Sequence, residues 1–151
     1  MDMENLQTHK YENIEDEFRR RYENTDFVAV EEKDKEFDLG MAKICTYLSM
    51  GRHAGTVQMI YSPMGNIYNQ EGKDLTEIRY LIGTGGVIIN NEKPEEILKS
   101  GLFTMEQSDS LRPEDPKLML DKDYILSAMG LLAGIDEDKA VRMLKKYIVE
   151  I

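Results

Sequence analysis

The sequence predicts an α/β fold in which a mixed sheet is flanked by helices. Three observations carry this. Phe37, Met41, Ile44 and Leu48 recur at helical spacing, and Thr56 to Tyr61 alternates as a strand does. Tyr80-Leu81-Ile82 is a short apolar run, read as a buried strand, that opens into Gly83-Thr84-Gly85-Gly86. Glycines permit positive φ and let a ligand approach the backbone closely. A strand leading into such a turn is where an open α/β sheet commonly places a phosphate or a nucleoside. The spacing is neither GxGxxG nor GxxxxGK[ST], so the motif by itself fits a plain tight turn equally well.

A chain of 151 residues suggests one domain, able to bury roughly two-thirds of its unfolded surface. The net charge is −10, from 19 Lys and Arg against 29 Asp and Glu. Such a surface repels a phosphate backbone and an anionic membrane, so neither nucleic acid nor membrane is an expected partner. No apolar run approaches the ~20 residues of a spanning helix. Met1-Asp2-Met3-Glu4-Asn5 has no basic region followed by an apolar one and is not read as a signal peptide. Cys45 is the only cysteine, so no intrachain disulfide can form, and a cytoplasmic location is expected.

Residues 1–10 are polar. Tyr11, Ile14, Phe18 and Tyr22 then mark one face of a helix. Phe27 to Val30 reads as a strand or an extended linker. The charge run Glu31 to Glu36 reads as a solvated loop or a first helical turn. A helix is expected from about Lys35 to Met50, with Cys45 beside its apolar stripe as a small buried hydrophobe. Gly51 and Gly55 frame its C-terminus. There Arg52 and His53 suit the negative end of the dipole, or point into a cleft to hold an anion or a partner carboxylate.

Thr56 to Tyr61 and Ile67 to Gln70 form a hairpin around Ser62-Pro63-Met64-Gly65-Asn66. Asp74 with Glu77 resembles a capping box on a short helical turn, and Lys73 and Asp74 make that junction. Pro94 starts a helix that stops near Gly101. Thr104 to Pro116 reads as a surface loop, and Leu118-Met119-Leu120 as a last strand. Tyr124 to Ala133 is expected to be a helix packed closely through Ala128 and Gly130. Asp136 caps a final helix whose apolar side is Ala140, Met143, Leu144, Tyr147 and Ile148. His9 and His53 are isolated, so no metal site and no catalytic triad is assigned.

Taken together, Gly51-Arg52-His53-Ala54-Gly55, Gln70-Glu71-Gly72-Lys73-Asp74-Leu75-Thr76 and Ile82-Gly83-Thr84-Gly85-Gly86 resemble a known family. Leu118 to Ile125 with Ala128 to Ala133 extends the likeness, which runs from about Phe37 to the C-terminus. The family is that of the MutL/GlmL-type accessory proteins of cobalamin-dependent glutamate (methylaspartate) mutase, distinct from the mismatch-repair protein called MutL.

The resemblance implies an actin-like, ribonuclease-H-like ATPase lobe of the superfamily that includes sugar kinases and heat-shock chaperones. Residues 36–151 would be its C-terminal lobe, and residues 1–35 a helical or linker segment. Gly83, Thr84, Gly85 and Gly86 would form the adenosine side of a site for ATP or ADP with Mg²⁺. Gly85 and Gly86 would lie beneath adenine and ribose. Arg52, His53, Lys73 and Asp74 would be cleft residues. The implied partners are the mutase subunits and the N-terminal lobe of the same family, and the implied role is reactivase-like. The superfamily's phosphate-binding hairpins with an acidic Mg²⁺ ligand have no counterpart, because Ser62 to Asn69 carries no acidic residue. The chain is thus not a mutase, and ATPase activity is expected only once the other lobe completes it. Two other readings are a non-enzymatic interaction module and a remnant of a sugar-kinase-like enzyme.

Overall fold

The computed structural model describes residues 14–151; Tyr11, His9 and the polar start lie outside the described residues. Helix α1 (Ile14–Glu23) packs on α2 (Glu32–His53), which is the longest element at 22 residues. The hairpin β1 (Thr56–Ser62) and β2 (Gly65–Glu71) follows. Then come β3 (Tyr80–Gly83), the short helices α3 (Gly86–Ile89) and α4 (Pro94–Lys99), and a 3-10 turn at Met105–Gln107. The chain closes with β4 (Lys117–Asp121), α5 (Leu126–Ala133), α6 (Glu137–Tyr147) and β5 (Ile148–Glu150).

Two sheets form. β1 and β2 pair antiparallel with Met59 opposite Tyr68. β3 runs parallel to β4, with Gly83 opposite Leu120, and β5 runs antiparallel on the other side of β4. The second sheet is therefore mixed. Its core is Leu118 and Leu120 of β4 with Ile97 and Leu98 of α4, joined by Phe37, Ala54 and Ala140. Pro94 sits in the first turn of α4, where its missing N–H costs nothing. Ser100 Oγ donates to the Lys43 carbonyl at 2.9 Å and ties the end of α4 to α2.

The charge run is the first turn of α2, and it is partly enclosed rather than solvated. Arg20 and Arg21 of α1 pair with Asp34, and Arg21 Nε donates to Asp38 Oδ1 at 2.8 Å. Arg21 also donates to Glu17 Oε2 at 2.8 Å, and its guanidinium lies over the rings of Phe27 and Phe37. Phe18 meets Phe37 edge-on at 5.6 Å. The hydrogen bond from Arg21, helped by the charges of Arg20 and Lys33, holds the Glu17 carboxyl below its ordinary range. A depressed carboxyl contributes stability that is present above its unfolded pKa and is lost as pH falls through its folded one. Acidification below the ordinary carboxylate range is therefore expected to destabilise α1, the helix that carries Glu17, Arg20 and Arg21. Amide exchange in α1 checks this, and Glu17→Gln should flatten that pH dependence.

Several expectations are corrected. Tyr80 and Ile82 are 57% and 38% exposed because they share the uncovered face of β3, while Leu81 and Gly83 point to the covered one. Asp74 caps no helix; it accepts from Thr76 N (3.0 Å) and Thr76 Oγ1 (2.6 Å), a local turn. The 104–116 segment is a surface loop only in part: Met105, Glu106, Ser108, Asp109, Glu114 and Asp115 are exposed, but its second half is anchored inside. Pro113 and Pro116 are buried, and Arg112, only 2% exposed, stacks 4.4 Å from the Tyr47 ring centroid. β4 is the central strand, not the last, because β5 returns beside it. Cys45 is exposed. Gly130 and Ala128 are exposed too, and a Cβ at Gly130 would meet nothing within 4 Å, so neither carries close packing. Of the two readings of Phe27 to Val30, the linker holds and the strand does not: it joins α1 to α2 without regular structure.

Candidate functional site

β3 and β4 run side by side in the same direction, so their carboxyl ends share one edge. The chain leaves β3 at Gly83, which is buried because a Cβ there would lie 3.0 Å from Ile88 Cγ2 and 3.1 Å from Leu98 Cδ2. Gly85 has φ 100 and ψ 150, a conformation essentially reserved for glycine, and a Cβ there would point into open space. Its carbonyl accepts from Ile88 N and Ile89 N and starts α3. A Cβ on Gly86 would lie 3.2 Å from the Tyr124 hydroxyl.

β4 leaves the sheet at Asp121, which is 1% exposed. Its Oδ1 accepts from Ile125 N (3.0 Å), and its Oδ2 from Leu126 N (3.1 Å) and Thr84 Oγ1 (3.3 Å). One carboxylate thus caps the start of α5 and holds the glycine-rich turn. Tyr124, between them, has φ 53, a left-handed conformation that a bulky residue rarely adopts.

The turn faces α1, α2 and the segment that joins them across two adjoining clefts. One, of about 550 Å³, is lined by Thr84, Gly85, Gly86 and Val87 on one side and by Phe18, Phe27, Phe37, Met41, Ala42 and Cys45 on the other. The second, of about 350 Å³, continues past Gly86 and Val87 towards Glu32, Lys35, Asn90 and Asn91. The larger is mostly apolar, with the Arg21–Asp38 pair as a polar element in its wall. Concave apolar volumes of this order, with a few placed polar groups, are the usual form of a small-molecule site.

Gly83, Thr84, Gly85 and Gly86 are therefore brought together. Arg52, His53, Lys73 and Asp74 are gathered elsewhere. Arg52 and His53 are exposed in the last turn of α2, as dipole capping requires. Ala54 bridges to Lys73, which places all four at the α2–β1 junction, and none of them lines either cleft. The two Thr76 hydrogen bonds lower the Asp74 pKa.

Sequence reasoning missed Asp121 as a holder of the turn and Phe27, Phe37 and Met41 as the opposite wall. An acidic residue at a strand end just before a helix was the available signal for Asp121. Nothing local announces the wall, which exists only because α2 and the segment before it pack against α3 and α4. Among the described residues, no three His, Cys, Asp or Glu residues gather to hold a metal, and no helix is long and apolar enough to cross a membrane.

The family described as "MutL protein" matches residues 1–148. The "Protein MutL" of Clostridium tetanomorphum is 48% identical over 131 residues, which are 87% of this chain but 28% of that relative. The chain thus spans little more than a quarter of the length of the relative it matches. No solved structure matches the chain. The chain belongs to the MutL protein family, the one that its three glycine-bearing blocks and closing segment resemble.

Proposed function

We propose that this chain contributes the adenosine-facing wall of a nucleotide site in an accessory, reactivase-like protein of a cobalamin-dependent glutamate mutase. The carrying observation is the Gly83–Gly86 turn, placed at the carboxyl ends of two parallel strands and opening on a cleft of about 550 Å³. The open space at the absent Gly85 Cβ is what a base or ribose lying against the backbone needs. Phe27, Phe37 and Met41 supply apolar surface across the cleft, and Thr84, fixed by Asp121, supplies a polar edge. ATP or ADP would bring its phosphates and Mg²⁺. The phosphates and their Mg²⁺ are assigned to the remaining part of a MutL polypeptide, because the hairpin Ser62 to Asn69 carries no acidic residue to hold that ion. This chain's share of the work is to bind and orient the nucleoside. The mutase subunits and the N-terminal lobe are its proposed partners, and an actin-like lobe in the cytoplasm is the proposed setting.

Calorimetric titration of ATP and ADP into the chain tests this. Weak binding is expected, with loss of at least about tenfold in affinity in Gly85→Asp, where a charged side chain enters the base position. Ala42→Trp fills the same cleft from α2 and leaves the turn untouched, so it separates a blocked site from a misfolded turn. Nucleotide binding unchanged in both variants would sink the proposal.

A further inference from the structure

The β1–β2 hairpin is chemically unlike the rest of the chain. The fifteen residues from Thr56 to Gln70 contain no Asp, Glu, Lys or Arg, although 32% of the chain is charged. Both faces present apolar side chains. Met59, Tyr61 and Tyr68 share one face, with Tyr61 77% and Tyr68 69% exposed; Ile60 and Ile67 oppose each other on the other. Met64 at the tip is 98% exposed. The body holds the hairpin only at its base. There Val57 N donates to the Asp109 carbonyl at 2.8 Å, and Gly55 N donates to Lys73 at 2.7 Å. Among the described residues the outer edge of β2 pairs with nothing.

Surfaces rich in Tyr and Met and free of charge are interface cores, and an isolated two-stranded hairpin is marginal in water. Uncovered strand edges are normally blunted by charge, proline or a bulge. Pro63 lies in the tight turn of the hairpin, and β2 carries no charged residue before Glu71.

We propose that this hairpin is the seam on which the remaining part of a MutL polypeptide docks, with a strand of that part pairing along the free edge of β2. The occupant is chosen on length and charge. The matched stretch is 28% of the C. tetanomorphum protein, so most of such a polypeptide lies outside it and needs a surface to rest on. A second copy would bring together two bodies of charge −10 through a hairpin that offers no cation to offset them. The inference rests on family membership and not on the nucleotide reading, which titration of ATP in the same complex reports separately.

The test mixes this chain with the part of the C. tetanomorphum protein outside the matched stretch. Association is measured by analytical ultracentrifugation, and amide exchange is followed across Ile67–Gln70. A one-to-one complex is expected, with β2 amide exchange slowed at least about a hundredfold. Ile67→Asp and Tyr68→Asp should each weaken association by at least about tenfold. Both side chains are more than half exposed, so the melting temperature of the free chain should stay unchanged. Three results would overturn the proposal. They are no complex, a complex indifferent to both variants, or a free chain that already dimerises through a protected β2.

Discussion

Asp121→Ala is expected to cost about 3 kcal/mol of stability and to lower the midpoint of thermal unfolding by about 6–12 °C. The carboxylate is 1% exposed and accepts from two backbone N–H groups and one hydroxyl. Alanine leaves the Ile125 and Leu126 N–H groups unpaired at the start of α5 and removes the anchor of Thr84. The two orphaned donors are part-buried, and together with the lost Thr84 bond they account for a cost of about 3 kcal/mol, each donor contributing about 1 kcal/mol. Asp121→Asn keeps one acceptor oxygen and should lose less. Thr84→Val severs only the 3.3 Å bond to the turn and should lose least. The order Ala, Asn, Val in calorimetric melts is the check. An unchanged midpoint in Asp121→Ala would mean that the carboxylate does not organise this end of the sheet.

Gly55→Ala is expected to be comparably damaging for a different reason. A Cβ there would sit 2.4 Å from the Glu71 carbonyl oxygen and 2.8 Å from both Gly72 C and Lys73 N. All three are backbone atoms, which cannot swing aside as a side chain does. Overpacking of this kind costs about 1–3 kcal/mol, occasionally more. Here relief requires opening the Gly55–Lys73 hydrogen bond that roots the hairpin. Gly72 is the other half of the contact: its φ is 85, and its Cβ would lie 2.9 Å from Gly55 Cα, so Gly72→Ala should behave alike. Gly40→Ala and Gly130→Ala are the controls. Both glycines are helical with nothing within 4 Å of the added methyl, and each change should stabilise by up to about 1 kcal/mol. Denaturant melts of the four variants decide it. Equal effects at all four positions would refute the steric account.

The glycines that matter are thus told apart by their neighbours. In the sequence, Gly55 and Gly72 look like punctuation, Gly83 and Gly85 like a turn open to a ligand, and Gly130 like a close helix contact. In the fold, two form a backbone crossing, one is wedged under α4, one adopts a glycine-only φ, and one stands in solvent.

What the sequence determined by itself was local. Helical spacing placed α2 and α6, alternation placed the hairpin, Pro94 started α4 and Asp136 capped α6 through Lys139 N. The four glycine-bearing stretches carried the family. These signals survive in isolation because they arise from backbone geometry and from pairing within a few residues. Only the tertiary structure decided which faces are covered, so Tyr80 and Ile82 proved exposed while Arg112 was buried against Tyr47 of α2. It likewise decided that Thr84 meets Asp121 across 37 positions, and that Phe27, Phe37 and Met41 face the glycine-rich turn. Those outcomes depend on which elements cover one another, a property of long-range packing that no local pattern of residues encodes.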